Sequence, residues 1–370
     1  MFKKILVTSV GGAAGNGVVK CIKLEEPTAQ IIGTDCDKYM IKTSKADQNF
    51  IVPHAMRHMD EYCLKLKELT DFYGISMIYP QSDKEIYVNA LFREQKKLPS
   101  RLYSLPSFNT ILLCRNKLSL YQKLEGQPFI PRFQLISSET KKKGFSLKFP
   151  VWPRATIGAG GFLGTKCDSW ATLKAWVKFW GIREPDVSFV ASEYLGGRNF
   201  GWLSLWNEGK LVVSTTRLRL GWVHNRIGTT GVQKTIHNKD INRICRRTVK
   251  LLDSEYSGLM SIDLKEDSEG RIYVTETNVG RISTTCWFQA VAPHILAGGY
   301  GVASRQSDAW NANLQALIDD EIRYKANFPY LLVKQHFKES LPKLPEFNVL
   351  PEGITHIRGM DTSPKIFVGD

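Results

Sequence analysis

Long apolar runs are missing from this sequence: none approaches the roughly 20 residues that a membrane-spanning helix needs, which reads against a membrane protein. Paired cysteine spacing is missing too. The seven cysteines (21, 36, 63, 114, 167, 245, 286) are scattered, odd in number and without metal-ligand spacing, which fits a reduced cytoplasm better than a disulfide framework and implies no zinc site. Clustered charge is scarce, although Lys and Arg outnumber Asp and Glu by 50 to 36, for a net charge of +14. Only Lys141, Lys142 and Lys143 form a run, between Thr140 and Gly144 in a predicted loop, and so dispersed an excess argues against nucleic acid as the partner. The first apolar stretch is interrupted by Gly11, Gly12 and Asn16, so it reads as a strand and not as a leader. No internal repeat occurs. What remains is an ordinary globular composition, 43% hydrophobic and 23% charged over 370 residues, long enough for two or three domains.

The order of predicted elements divides the chain. An apolar run from Lys4 to Val10 enters a glycine-rich turn, then a helix from Val18 to Leu24 and a second strand around Ile31 and Ile32. This is a βαβ start. A further strand, Ile75 to Tyr79, ends at Pro80-Gln81-Ser82-Asp83, which places polar loops at the carboxyl ends of strands, where α/β units bind ligands. Beyond a helix from Asn116 to Glu125, strand-like and helix-like pieces alternate to about residue 290 in an α+β pattern. The tail from Leu317 carries no motif.

Four segments carry chemistry. Gly258 to Asp263 and Arg271 to Asn278 read as two strands joined by turn residues Asp267, Ser268 and Gly270. Alternation then puts Asp263, Glu276 and Asn278 on one face, two carboxylates and an amide oxygen suited to magnesium with nucleotide phosphates. Pro150 to Gly164 takes Arg154 along a strand into a loop containing Gly158, Gly160 and Gly161, where small residues let backbone amides approach a phosphate. Glu193-Tyr194-Leu195 leaves another apolar strand, an exit that offers backbone hydrogen bonds to an adenine edge. Asn116 caps a helix whose first turn holds Lys117. Between them, Arg217 and Arg219 alternate onto one face and are candidates to grip a carboxylate or a phosphate, with Gly221 to His237 predicted as a mobile lid. His224 and His237 are the only histidines near that lid.

In this order, across about residues 115 to 290, the segments resemble the ATP-grasp superfamily. With the N-terminal unit, the chain is similar to the carbamoyl phosphate synthetase large-subunit-like branch, in its single-module carboxylate-amine ligase type. The resemblance implies an α/β fold: a Rossmann-like domain over 1–112, a central subdomain over 113–192, a C-terminal α+β subdomain over 193–325 and an extension over 326–370. It implies ATP with magnesium, or manganese, as cofactor, and a small carboxylate and an amine as substrates, in a cytoplasmic enzyme with room for a homodimer. Lys117 and Arg154 would contact phosphates, with Gly158, Gly160 and Gly161 in the closing loop. Glu193, with the backbone of Tyr194 and Leu195, would hold adenine. Asp263, Glu276 and Asn278 would ligate magnesium, and Arg281, Arg217 and Arg219 would serve the reacting groups.

Two departures stand out. The family's Asn-Pro-Arg places the arginine two beyond the asparagine, whereas Asn278-Val-Gly-Arg281 places it three beyond. The acidic residue that holds the ribose in relatives is replaced by Asn199 or Phe200. In relatives the N-terminal unit walls the acceptor site, which makes Gly12, Gly15 and Asp83 candidates for substrate contact. The same glycine turn, followed by Asp35, also supports a rival reading as a nicotinamide-dependent oxidoreductase, although the spacing is not G-x-G-x-x-G. A nucleotide-binding module without turnover is the other rival.

Overall fold

The computed structural model describes residues 2–158, 163–223, 228, 230–283, 327–350, 352–357 and 365–368. The chain begins with β1 (Lys4–Thr8), α1 (Ala13–Glu25), β2 (Gln30–Asp35), β3 (Gln48–Ile51), α2 (Met59–Tyr73), β4 (Met77–Tyr79) and α3 (Asp83–Glu94). The four strands form a parallel sheet in the order β3-β2-β1-β4. Ile5, Leu6 and Val7 are all fully buried, as expected of a central parallel strand covered on both faces. The expected βαβ start is thus present, with its loops at the carboxyl ends of β1, β2 and β4.

The glycine turn after β1 serves packing. A Cβ at Gly15 would lie 2.2 Å from the Ser9 carbonyl oxygen, so only glycine lets α1 sit this close to the turn. Gly12 occupies the N-cap of α1. Gly15→Ala is therefore expected to cost about 1–3 kcal/mol of stability, in the range of overpacked cores; an unchanged urea midpoint would refute it. At the end of β2, the Asp35 carboxylate accepts the N–H of Gly11 at 2.9 Å and that of Asp37 at 3.0 Å, so it braces the turn.

Next come α4 (Phe108–Arg115), α5 (Lys117–Lys123), β5 (Phe133–Ile136), β6 (Val151–Ala155), α6 (Trp170–Arg183) and β7 (Phe189–Glu193). Here β5, β7 and β6 make a three-stranded antiparallel sheet covered by α6, which Ser169 caps in a capping box. The third sheet is built from β8 (Asn199–Asn207), β9 (Lys210–Trp222), β10 (Thr230–Ile236), β11 (Gly258–Glu266) and β12 (Ile272–Val279), with α7 (Lys239–Leu252) against it. The C-terminal stretch supplies α8 (Phe328–His336), which packs on α1, then β13 (Ile354–Ile357) and β14 (Lys365–Val368). These extend the sheet to seven antiparallel strands, β12-β11-β8-β9-β10-β13-β14. Trp202 and Trp206, four apart on β8, are fully buried on one face, and the Trp202 indole donates to Asn242 of α7 at 3.0 Å.

One expectation needs correction. The segment expected as a mobile lid contains β10, hydrogen-bonded to the end of an unexpectedly long β9; residues 224–227 and 229, His224 among them, lie outside the described residues. The tail, which carries no motif in the sequence, supplies two strands of the largest sheet. No helix among the described residues is long and apolar enough to cross a membrane.

Candidate active site

The hairpin of β11 and β12 sets Asp263 directly opposite Glu276 and Ser261 opposite Asn278. Opposed residues of an antiparallel pair project to the same side, and Asn278 lies two beyond Glu276, so the three polar side chains share one face. Arg219 donates to Asp263 Oδ1. Two carboxylates and an amide offer only oxygen donors, the chemistry a hard divalent cation takes, with its remaining positions left to water or phosphate. Among the described residues no three His, Cys, Asp or Glu side chains gather into a metal cluster.

Lys117 approaches this face from the other side. Asn116 accepts the N–H groups of Leu118 and Ser119 and bridges to Ile157, while the Lys117 N–H bonds the Thr156 carbonyl at 2.8 Å, so the start of α5 is stitched to the strand leading into the second glycine loop. The buried ammonium donates to the Gly158 carbonyl at 2.6 Å and stands 3.5 Å from Glu276 Oε1. Burial depresses its pKa, with Glu276 opposing and Arg154 reinforcing the shift. Gly158 has φ +144° with open space where a side chain would stand, whereas Gly160 and Gly161 lie outside the described residues.

Arg154 is held by the Tyr121 hydroxyl and, at 2.7 Å, by the Thr275 carbonyl of β12, so it ties the three-stranded sheet to the hairpin. The Glu193 carboxylate is engaged by Arg132, and the Tyr194 N–H by the Pro150 carbonyl at 3.2 Å. Leu195 is buried beside them. The Tyr194 ring sits against Trp152 and below the ammonium groups of Lys166 and Lys265, at 5.3 and 5.2 Å. Trp152, Lys166 and Lys265 belong to no sequence motif, although Trp152 shares the strand face of Arg154 and Lys265 that of Asp263.

Beyond β12 the chain turns at Gly280, whose φ of +73° is the left-handed conformation glycine adopts freely. Arg281 then makes a two-pronged pair with Asp83, Nε to Oδ1 and Nη2 to Oδ2, both at 2.7 Å. Burial raises the Asp83 pKa, but the charge and hydrogen bonds of Arg281, with Lys117 and Arg115 further off, bring it below the ordinary value. Asp83 is fixed in turn by the start of α3, where the buried Glu85 accepts from Thr8 at 2.7 Å and Ser82 at 2.8 Å. Asp83, Arg281, Glu276, Asn278 and Gly158 line one cavity of about 430 Å³ between the parallel sheet and the hairpin.

Other candidates fall elsewhere. Arg217 lies over Gly201, where a Cβ would come 2.5 Å from its Nε, and donates to Gln233 at 2.6 Å. Gly12 and Gly15 stay at the head of α1, and His237 bonds the Leu350 carbonyl at 3.0 Å.

No family model and no curated protein sequence matches the chain. Solved structures do. An L-amino acid ligase from Bacillus licheniformis matches with a TM-score of 0.65 at 15% identity, over 96% of this chain and 78% of that one. A biotin carboxylase from Campylobacter jejuni, in complex with β-γ-ATP, gives 0.66 at 12% identity over 96% and 75%. A phosphoribosylglycinamide synthetase from Anaerococcus prevotii gives 0.59 at 15% identity over 96% and 80%.

Proposed function

The chain has the ATP-grasp fold, and from that premise we propose that it is an ATP-dependent ligase. It activates a carboxylate as an acyl phosphate and couples it to an amine, releasing ADP and phosphate. The observation that carries this reading is the convergence on one cavity of Glu276, Asn278, Asp83-bound Arg281 and the entry to a glycine loop bonded to Lys117. The structural neighbours support it, since one is an amino acid ligase and others hold ATP or ADP.

In this reading a carboxylate oxygen attacks the γ-phosphorus and the bond to ADP breaks. The amine nitrogen then attacks the acyl carbon, loses a proton and expels phosphate. Lys117 and Arg154 place positive charge beside the phosphates, while Glu193, Tyr194 and Leu195 border the adenine. Magnesium, held by Asp263, Glu276 and Asn278, would supply charge neutralisation on the phosphate oxygens. Arg281 faces the acyl carbon, where negative charge develops on the carbonyl oxygen and the departing phosphate. Positioning and electrostatics are the whole contribution asked of the protein.

The oxidoreductase reading is disfavoured because the carboxylate of Asp35, the ribose partner it needs, already braces the glycine turn. ATP with magnesium is expected to raise the thermal midpoint and NAD is not; at about a hundred times the dissociation constant the gain is about 2.7 kcal/mol. Equal stabilisation by NAD would sink the assignment. ADP release with any carboxylate and amine excludes a module without turnover.

A further inference from the structure

The cavity wall holds a cation that the proposed chemistry does not use. Arg115, the last residue of α4, lines the cavity with its guanidinium stacked 4.3 Å from the centre of the Tyr87 ring, which Phe108 flanks in turn. Arg281 is matched by Asp83, and Glu276 faces Lys117. Lys84 reaches towards His54 at 3.4 Å. Arg115 alone among the arginines lining the cavity has no ion pair among the described residues, yet its charge is close enough to lower the Asp83 pKa. Stacking fixes the plane of a guanidinium and leaves its N–H edge open for a two-pronged acceptor.

A second observation points to the same place. Gln81, at the end of β4, lines this cavity at 3% exposure, and neither the oxygen nor the nitrogen of its carboxamide has a partner. A buried amide left unpaired is costly unless something supplies its hydrogen bonds. Ile86, Ile111 and Cys114 line the same cavity, which thus sets apolar wall beside an open guanidinium and an open amide.

We propose that Arg115 anchors a carboxylate other than the reacting one, so that the enzyme takes a substrate with an additional carboxylate whose adjoining polar group pairs with Gln81. The inference rests on the ligase reading for the site's purpose, but not for its test. The extra carboxylate belongs either to the acid substrate, as in a dicarboxylate, or to the amine substrate, as in an amino acid. Two matched pairs separate these sources: glutarate against glutaramate, and alanine against alaninamide.

Calorimetric titration of each compound into the full chain, with magnesium and a non-hydrolysable ATP analogue present, reads the preference. One charged member should bind about 10- to 100-fold more tightly than its amide, the range of a hydrogen-bonded charge. Arg115→Leu should erase that preference and leave the affinity for the nucleotide unchanged. Arg115→Lys, which keeps charge without the fork, should restore part of it and shows that any loss is not misfolding. The inference is overturned if neither pair discriminates, if the preference survives Arg115→Leu, or if the variant weakens nucleotide binding equally. ADP release with the same compounds tests the ligase reading separately, since binding preferences remain measurable without turnover.

Discussion

Glu276→Gln is expected to fold normally and to lose ADP formation by at least about a hundredfold. Partners that merely support a metal ligand are worth about 10- to 100-fold, and the proposal makes Glu276, directly across from Asp263, a ligand itself. The substitution keeps shape and removes one negative charge. It also strips the nearest anion from buried Lys117, whose pKa should fall further, although the bond to the Gly158 carbonyl remains to hold the side chain. A second readout needs no turnover: the thermal stabilisation by ATP with magnesium should shrink sharply in the variant, while that by ATP with a chelator should not. Asp263→Asn should act in the same direction but more mildly, because Asp263 already shares its charge with Arg219. Unimpaired turnover by Glu276→Gln would show that this face is not the metal site.

Half of the β11–β12 face was legible in the sequence, because a spacing of two puts Glu276 and Asn278 on one side of β12. Asp263 stands opposite Glu276 only through a register shift between Asp263 and Leu264; counted back from the turn without it, Asp263 would pair with Thr275. The βαβ start and Asn116 at the head of α5 were legible from local facts alone. What was not legible depends on distant partners. Nothing near Asp83 announces that its carboxylate meets Arg281, 198 residues away. Glu193 gives no sign of Arg132, nor Asp263 of Arg219, since each pair joins strands whose neighbourhood only the sheet order determines. The lid was misjudged for a related reason. Its glycines and polar residues suggest a loop, but β10 is stabilised by pairing with β9 on one side and β13 on the other.

Arg281 is where the sequence departs most from the family pattern, and the structure gives the departure a physical account. An extra residue after Asn278 would carry the arginine to the opposite face of a continuing strand. The left-handed turn at Gly280 ends the strand instead, and Asp83 receives the guanidinium at the cavity wall. Arg281→Ala is therefore expected to lower turnover by about 10²–10³, the usual loss for one preorganised donor at a developing oxyanion, with ATP affinity little changed. Arg281→Lys should recover only part, because a point charge cannot make the two-pronged contact. Asp83→Asn weakens the grip without removing the charge, so its loss should be smaller, and Asp83→Ala combined with Arg281→Ala should be no worse than Arg281→Ala alone, as for residues acting as one unit. Single-turnover kinetics on Arg217→Ala and Arg219→Ala complete the comparison. Arg217 is committed to Gln233 and Arg219 to Asp263, so neither should match the Arg281 effect on the second step. If Arg281→Ala costs only a few-fold while Arg219→Ala costs a hundredfold, Arg281 is a strap between the two units and the charge on the acyl carbon is met from β9.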